Sequence, residues 1–146
     1  MKHHRILAAS FLALLVAAAA GLSLAKGESV ITKDQLVEMF DNMPKGPDWD
    51  TSKPLLWGYF FTDSSKETLQ HAVPLLEQQG YKFVDTYLSD KDDPKEPDLW
   101  WLHVEKVEMH NPDTLDQRNQ LLYQFADDHG IDSYDGMDVG PAPANH

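Results

Sequence analysis

Cysteine is absent from this 146-residue sequence, so neither a disulfide nor a thiolate contributes to it, and the fold must rest on its own core. A nucleophile would have to come from Ser, Thr, Asp or Glu beside a base. The serines stand in caps and loops, and no Gly-x-Ser-x-Gly turn presents one of them. His71, His103, His110 and His129 are scattered, without the His-x-x-x-His or Glu-x-x-His spacing that puts two ligands on one helix face. Asp90, Asp92, Asp93 and Asp98 crowd one loop, but Pro94 and Pro97 interrupt it and the glycine of a calcium-binding turn is missing. A Gly-rich phosphate cradle is lacking too. The expectation is a chain with no catalytic residue, no metal and no cofactor. Positive charge is also scarce, with 12 Lys and Arg against 24 Asp and Glu and a net charge of −12. Nucleic-acid binding needs a basic stripe to displace counterions, so no nucleic-acid partner is expected, and the acidity either steers a basic protein partner or only keeps an exported chain soluble.

The sequence does contain an export signal. Lys2, His3, His4 and Arg5 form a basic start, an apolar run follows from Ile6 to Leu22, and Ser23 and Ala25 are the small residues a signal peptidase reads. Residues 1–25 are therefore expected to be removed, with an earlier cut before Gly21 or an uncleaved anchor as the alternatives. Without a Cys after the apolar run, no lipid anchor can form. The mature chain is expected in the periplasm or secreted, off the membrane, and more acidic still once Lys2 and Arg5 are gone.

What remains fits one domain. Thr32 can cap a short helix from Lys33 to Asn42 whose Leu36, Val37, Met39 and Phe40 form a stripe, and a Pro/Gly-rich linker continues to Pro54, so that 26–54 reads as an accessory segment. The main domain, 55–140, opens with a strand over Leu55 to Thr62. A helix with Ser64 and Glu67 at capping-box spacing follows, Pro74 is expected to kink it, and Gly80 ends it. Strands are expected over Tyr81 to Leu88 and Leu99 to Met109, then a helix capped by Asn111 and closed by Gly130, then a short strand from Ile131 to about Tyr134, with Val139 as its alternative end. Residues 141–146 read as a disordered tail. The fold class is α+β, a ferredoxin-like split βαβ (βαββαβ) two-layer sandwich with an extra N-terminal helix.

Alternation divides the strands into two faces. Leu56, Phe60, Val84, Leu88, Trp100, Leu102 and Val104 are expected under the helices. The opposite face then takes Trp57, Tyr59, Phe61, Tyr81, Phe83, Tyr87 and Trp101, with Asp85, His103 and Glu105 among them. A second aromatic face needs a cover, which is either the N-terminal helix folding back or a partner. If it docks a partner protein or a second copy of the chain, Trp57, Tyr59, Phe83, Tyr87, Trp101, His103 and Glu105 are the candidate contacts, because Trp and Tyr anchor interfaces.

Gly80-Tyr81, the strand from Leu99 to Met109, the segment Leu115-Asp116-Gln117-Arg118-Asn119-Gln120-Leu121-Leu122 and the closing Tyr134-Asp135-Gly136 together resemble the regulator of ribonuclease activity B family over roughly Leu55 to Gly140. Met137 stands where that family tends to carry an aromatic residue. The resemblance implies a non-enzymatic domain that acts by binding another protein, in the family a cytoplasmic ribonuclease. The export signal places this chain in another compartment. An inhibitory or regulatory module for an exported partner follows, an immunity-type inhibitor being one version. The alternative is a small-molecule- or metal-binding periplasmic domain that uses the aromatic face.

Overall fold

The computed structural model describes residues 30–144 and the backbone of Leu12–Leu15. The basic start and the cleavage site expected after Ala25 lie outside the described residues. Among the described residues no helix is long and apolar enough to cross a membrane. The elements are β1 (Leu12–Leu15), α1 (Lys33–Asp41), β2 (Leu55–Asp63), α2 (Lys66–Gln78), β3 (Lys82–Leu88), β4 (Trp100–Glu108), α3 (Pro112–Asp128) and β5 (Ser133–Gly140). The α+β class expected from the sequence is observed. β2 to β5 form an antiparallel sheet in the order β5-β2-β4-β3; β1, which lies inside the segment 1–25 expected to be removed, pairs along its β5 edge with Leu12 opposite Val139 and Leu15 opposite Gly136, so the four-stranded sheet is what the domain 55–140 itself supplies.

Local chemistry accounts for the helix ends. The Thr32 hydroxyl accepts the Gln35 N–H and the Gln35 side chain accepts the Thr32 N–H, a closed capping box. Asn111 and Thr114 make the same exchange at α3, with Pro112 in the first turn. At α2 the cap is Ser65 rather than the expected Ser64, its hydroxyl accepting the Thr68 N–H. α2 runs through Pro74 as a single helical element and ends where Gly80, at φ +92°, lets the Tyr81 N–H reach back to the Leu76 carbonyl.

Three helices pack on one side of the sheet. Leu69, Ala72 and Leu76 of α2, and Leu115, Leu122, Phe125 and Ala126 of α3, join Leu55, Trp57, Tyr59, Phe61, Leu102, Val104, Met137 and Val139 in one core. α1 belongs to the same core. Its Leu36 and Met39 are buried there, Phe40 packs on Trp57 with ring centroids 5.9 Å apart, and the Ile31 N–H donates to the Tyr123 hydroxyl of α3. The N-terminal helix therefore does not fold over the other face of the sheet. It buttresses α3 from the helix side. Leu36→Ala should accordingly cost about 2–4 kcal/mol in urea unfolding, the usual loss for a fully buried Leu; a loss below about 1 kcal/mol would show a detachable arm.

The division of β2 is the main correction. Pairing sets Trp57 opposite Lys106 and Val139, Tyr59 opposite Val104 and Met137, and Phe61 opposite Leu102, so these three side chains point under the helices. Leu56, Gly58, Phe60 and Thr62 take the opposite face. β2 is large and apolar on both sides at nearly every position, so alternation alone does not choose a face for it. Gly58 and Thr62 carry the missed signal: they share a parity with Leu56 and Phe60, and they make that side the less apolar one.

Candidate functional site

Two polar assemblies lie on opposite sides of the sheet. On the helix side, Arg118 of α3 donates to Glu108 Oε1 at 2.7 Å and to the Tyr81 hydroxyl at 3.1 Å. The Tyr59 hydroxyl donates to Glu108 Oε2 at 2.6 Å, and His110 Nε2 lies 3.1 Å from both that hydroxyl and that carboxylate oxygen. His110 Nδ1 in turn contacts Thr114 Oγ1, and the indole N–H of Trp57 donates to the Glu108 carbonyl. Burial pushes the Glu108 carboxyl up, but its bonds from His110 and Tyr59 and the charges of His110 and Arg118 outweigh that and bring it down to about 2. A second bond ties α3 to β5, from the buried Tyr134 hydroxyl to Asn119 Oδ1 at 2.6 Å. Tyr81, Arg118, Asn119 and Tyr134 all belong to the segments on which the family resemblance was read. Their partners are one another and Glu108, so these residues fasten α3 to the sheet rather than present a reactive group.

The other face of the sheet carries a different set. Of the contacts expected there, Tyr87, Trp101, His103 and Glu105 are placed on it, since Tyr87 pairs with Trp101 and His103 with Asp85, all in phase with Gly58 and Phe60. Tyr87 and Trp101 stack almost in parallel at 6.2 Å, Phe60 meets Trp101 edge-on at 6.2 Å, and His103 stacks on Phe60 at 4.4 Å. Trp57 and Tyr59 are buried under the helices, as is Phe61. Tyr81 is likewise on the helix side, bonded to Arg118. Phe83 pairs with Val104 on the helix side too and stays part-exposed at the sheet margin.

Sequence reasoning missed the carboxylates of β5. Asp138 pairs with Gly58 and lies on the outer face, while Asp135 belongs to the same strand and accepts a bond from Thr62 Oγ1 at 3.0 Å. With Asp85 and Glu105 they place four acids there, and Lys82, opposite Glu105, is the only Lys or Arg among the described strand residues of this face. Burial raises the Asp138 carboxyl to about 6, Glu105 adds to the rise, and the backbone N–H groups of Gly58 and Asp138 pull against it. Burial also raises Asp135 and Tyr87, the latter further through Asp85, Asp138 and Asp135. The period-two pattern Asp-Gly-Met-Asp-Val could have found them. Met137 and Val139 on the core side require Asp138 on the other.

No group of three or more His, Asp or Glu side chains among the described residues converges on a point that could hold a metal ion. The acidic loop after β3 is tied within itself, by the Lys91–Asp98 ion pair and the Lys95 N–H bonded to Asp93. A groove of about 430 Å³ lies between the end of α1 and the Pro47–Trp49 turn, lined by Phe40, Met43, Lys45 and Trp49.

Comparison with known proteins found no match among curated proteins and none among solved structures. The family described as regulator of ribonuclease activity B matches residues 33–139, from the first residue of α1 to the last but one of β5. This chain belongs to the regulator of ribonuclease activity B family.

Proposed function

We propose that the chain is a non-catalytic regulator that binds a partner protein through the acidic, aromatic outer face of its sheet, and that it does so after export, in the periplasm or outside the cell. The observation that carries this reading is the set Asp85, Glu105, Asp135 and Asp138 around the rings of Phe60, Tyr87 and Trp101, on the side of the sheet away from all three helices. The family is described as regulating ribonuclease activity. A ribonuclease must hold RNA phosphates and so carries a basic cleft, and an acidic face with flat rings is complementary to such a surface. An exported or delivered ribonuclease is therefore the partner class to test first. The strand order β5-β2-β4-β3, with α2 and α3 on one side, supports the ferredoxin-like split βαβ arrangement for the domain.

The test is capture by tagged protein from the exported fraction of its own source, followed by ribonuclease assay of the captured material with and without added regulator. A basic ribonuclease retained in near-equimolar amount, released by salt and silenced by the regulator, is the expected outcome. In that complex Trp101→Ala should weaken binding at least tenfold while the melting temperature of the free chain changes little, as a ring outside the core predicts. If Trp101→Ala instead lowers thermal stability and leaves affinity alone, the face is structural and the reading is wrong.

A further inference from the structure

We infer that Asp138, whose carboxylate fills the space left by Gly58 at the centre of the outer face, is the receptor for a single cationic side chain, arginine or lysine, presented by the partner protein. The inference deepens the docking reading above and rests on it.

Asp138 is 5% exposed, and its Oδ1 has no hydrogen-bond partner. Two other carboxylates held inside the described residues are satisfied. Asp63 accepts the N–H groups of Ser65 and Asp132, and Glu108 holds Arg118 and Tyr59. Buried polar atoms are paired in nearly all cases because the loss of water is otherwise uncompensated, so an orphaned carboxylate oxygen marks a place where a donor is supplied from elsewhere.

The neighbourhood selects a cation as that donor. Gly58 pairs with Asp138 on one side and Glu105 on the other, so its missing side chain lies between two acids. A Cβ built at Gly58 would fall 2.2 Å from Asp138 Oδ1 and 2.7 Å from His103 Nε2, which means the carboxylate and the imidazole occupy the space a side chain would fill. Glycine inside a central strand weakens it, and its presence here serves the close approach of those groups. Phe60, the next residue on this face of β2, stacks on His103 and meets Trp101, and Tyr87 stacks on Trp101. Aromatic faces beside carboxylates bind guanidinium and ammonium groups by cation–π attraction together with charge-assisted hydrogen bonds. The same surroundings disfavour anions and give a neutral donor little advantage.

Proton linkage provides a signature. Among the described residues, the titratable groups on the face of Asp138 are His103 and Glu105 on β4, Asp85, Tyr87 and Lys82 on β3, and Asp135 on its own strand; β2 contributes none. With the carboxyl raised to about 6, the free protein is partly protonated at Asp138 in mildly acid solution, and an arriving cation must displace that proton. Binding through this site should therefore weaken as pH falls from 7 to 5.

The experiment uses the purified chain and two short peptides, Gly-Arg-Arg-Gly with blocked ends and the same peptide with citrulline for arginine, which is isosteric but uncharged. Carbon-detected NMR follows the Asp138 carboxyl, and amide shifts follow Gly58, Trp101 and His103. The expected result is perturbation of these signals by the arginine peptide alone, with the Asp138 titration midpoint lowered by about one unit, equivalent to tenfold tighter binding to the carboxylate form. Asp138→Asn should abolish both effects, and Glu105→Gln should retain them in weakened form. Equal shifts from the citrulline peptide, or unchanged arginine binding by Asp138→Asn, would overturn the inference. In the partner capture experiment, a partner lost by Trp101→Ala but held with full affinity by Asp138→Asn refutes the Asp138 receptor while leaving the docking face intact. A partner held by both variants refutes the docking face itself.

Discussion

Glu108→Gln should destabilise the chain by about 3 kcal/mol at pH 7. The carboxylate is 14% exposed at its side chain and binds the Arg118 guanidinium, itself only 23% exposed, while also accepting from Tyr59. An amide keeps the shape but supplies no charge, so the guanidinium is left in a low-dielectric site without its counter-ion, a change that commonly costs about 3–5 kcal/mol. The depressed carboxyl points the same way, with His110 and Tyr59 contributing beside Arg118. Its midpoint falls from 4.5 to about 2, and at about 1.4 kcal/mol per unit that amounts to about 3 kcal/mol. The sign follows from the direction. A carboxyl lowered in the folded state stabilises it fully above the unfolded midpoint, and the contribution is lost as pH falls from about 4.5 toward 2. Urea denaturation of both proteins across pH 2 to 7 should show curves that converge at the acid end. Curves that stay parallel would place the stability elsewhere, and replacing both partners, Glu108→Leu with Arg118→Met, should recover much of the loss because no charge is then stranded.

That network also shows where reading the chain stops. Caps, turn glycines and apolar periodicity are local signals, and they located α1, α2, α3 and the strands to within a residue or two at most ends. Asn111 and Thr32 were legible as caps because the bond partner is three residues away. Glu108, Tyr59 and Tyr81 come together from three different strands or turns, and only the sheet register joins them. No spacing in the sequence encodes that. The outer face was half legible for a related reason. β4 alternates clearly enough that Trp101, His103 and Glu105 are assigned to it; β3 breaks its alternation at the irregularity between Phe83 and Asp85, which leaves Tyr87 on this face but carries Phe83 to the helix side, and β2 is apolar on both sides, so alternation sends Trp57 and Tyr59 to the wrong face. Gly58 and Thr62 mark the less apolar parity of β2, and that parity sets its phase and places Gly58 beside Asp138.

Asp138→Asn should raise stability at pH 7, and the gain should vanish at pH 4, the reverse of the Glu108 result. A carboxyl whose folded midpoint is raised from 3.8 to about 6 keeps its proton in the native state after the unfolded chain has released it. Between those two midpoints the native state binds more protons than the unfolded one, so stability declines as pH rises, and above pH 6 the full cost is in place. Two units at about 1.4 kcal/mol each set an upper value of about 3 kcal/mol, and an amide that must still be buried recovers part of it, about 1–2 kcal/mol. The melting temperature at pH 7 should therefore rise by several degrees in the variant and be unchanged at pH 4. A group placed only to hold the fold together would not behave this way, because its removal lowers stability at every pH where it is charged. A carboxylate that costs stability when unliganded, and whose removal costs partner affinity, has the signature of a binding residue kept against the interest of the fold. If Asp138→Asn instead lowers the melting temperature at pH 7, the carboxylate is a structural member of the sheet, and the cation it is proposed to receive has no place there.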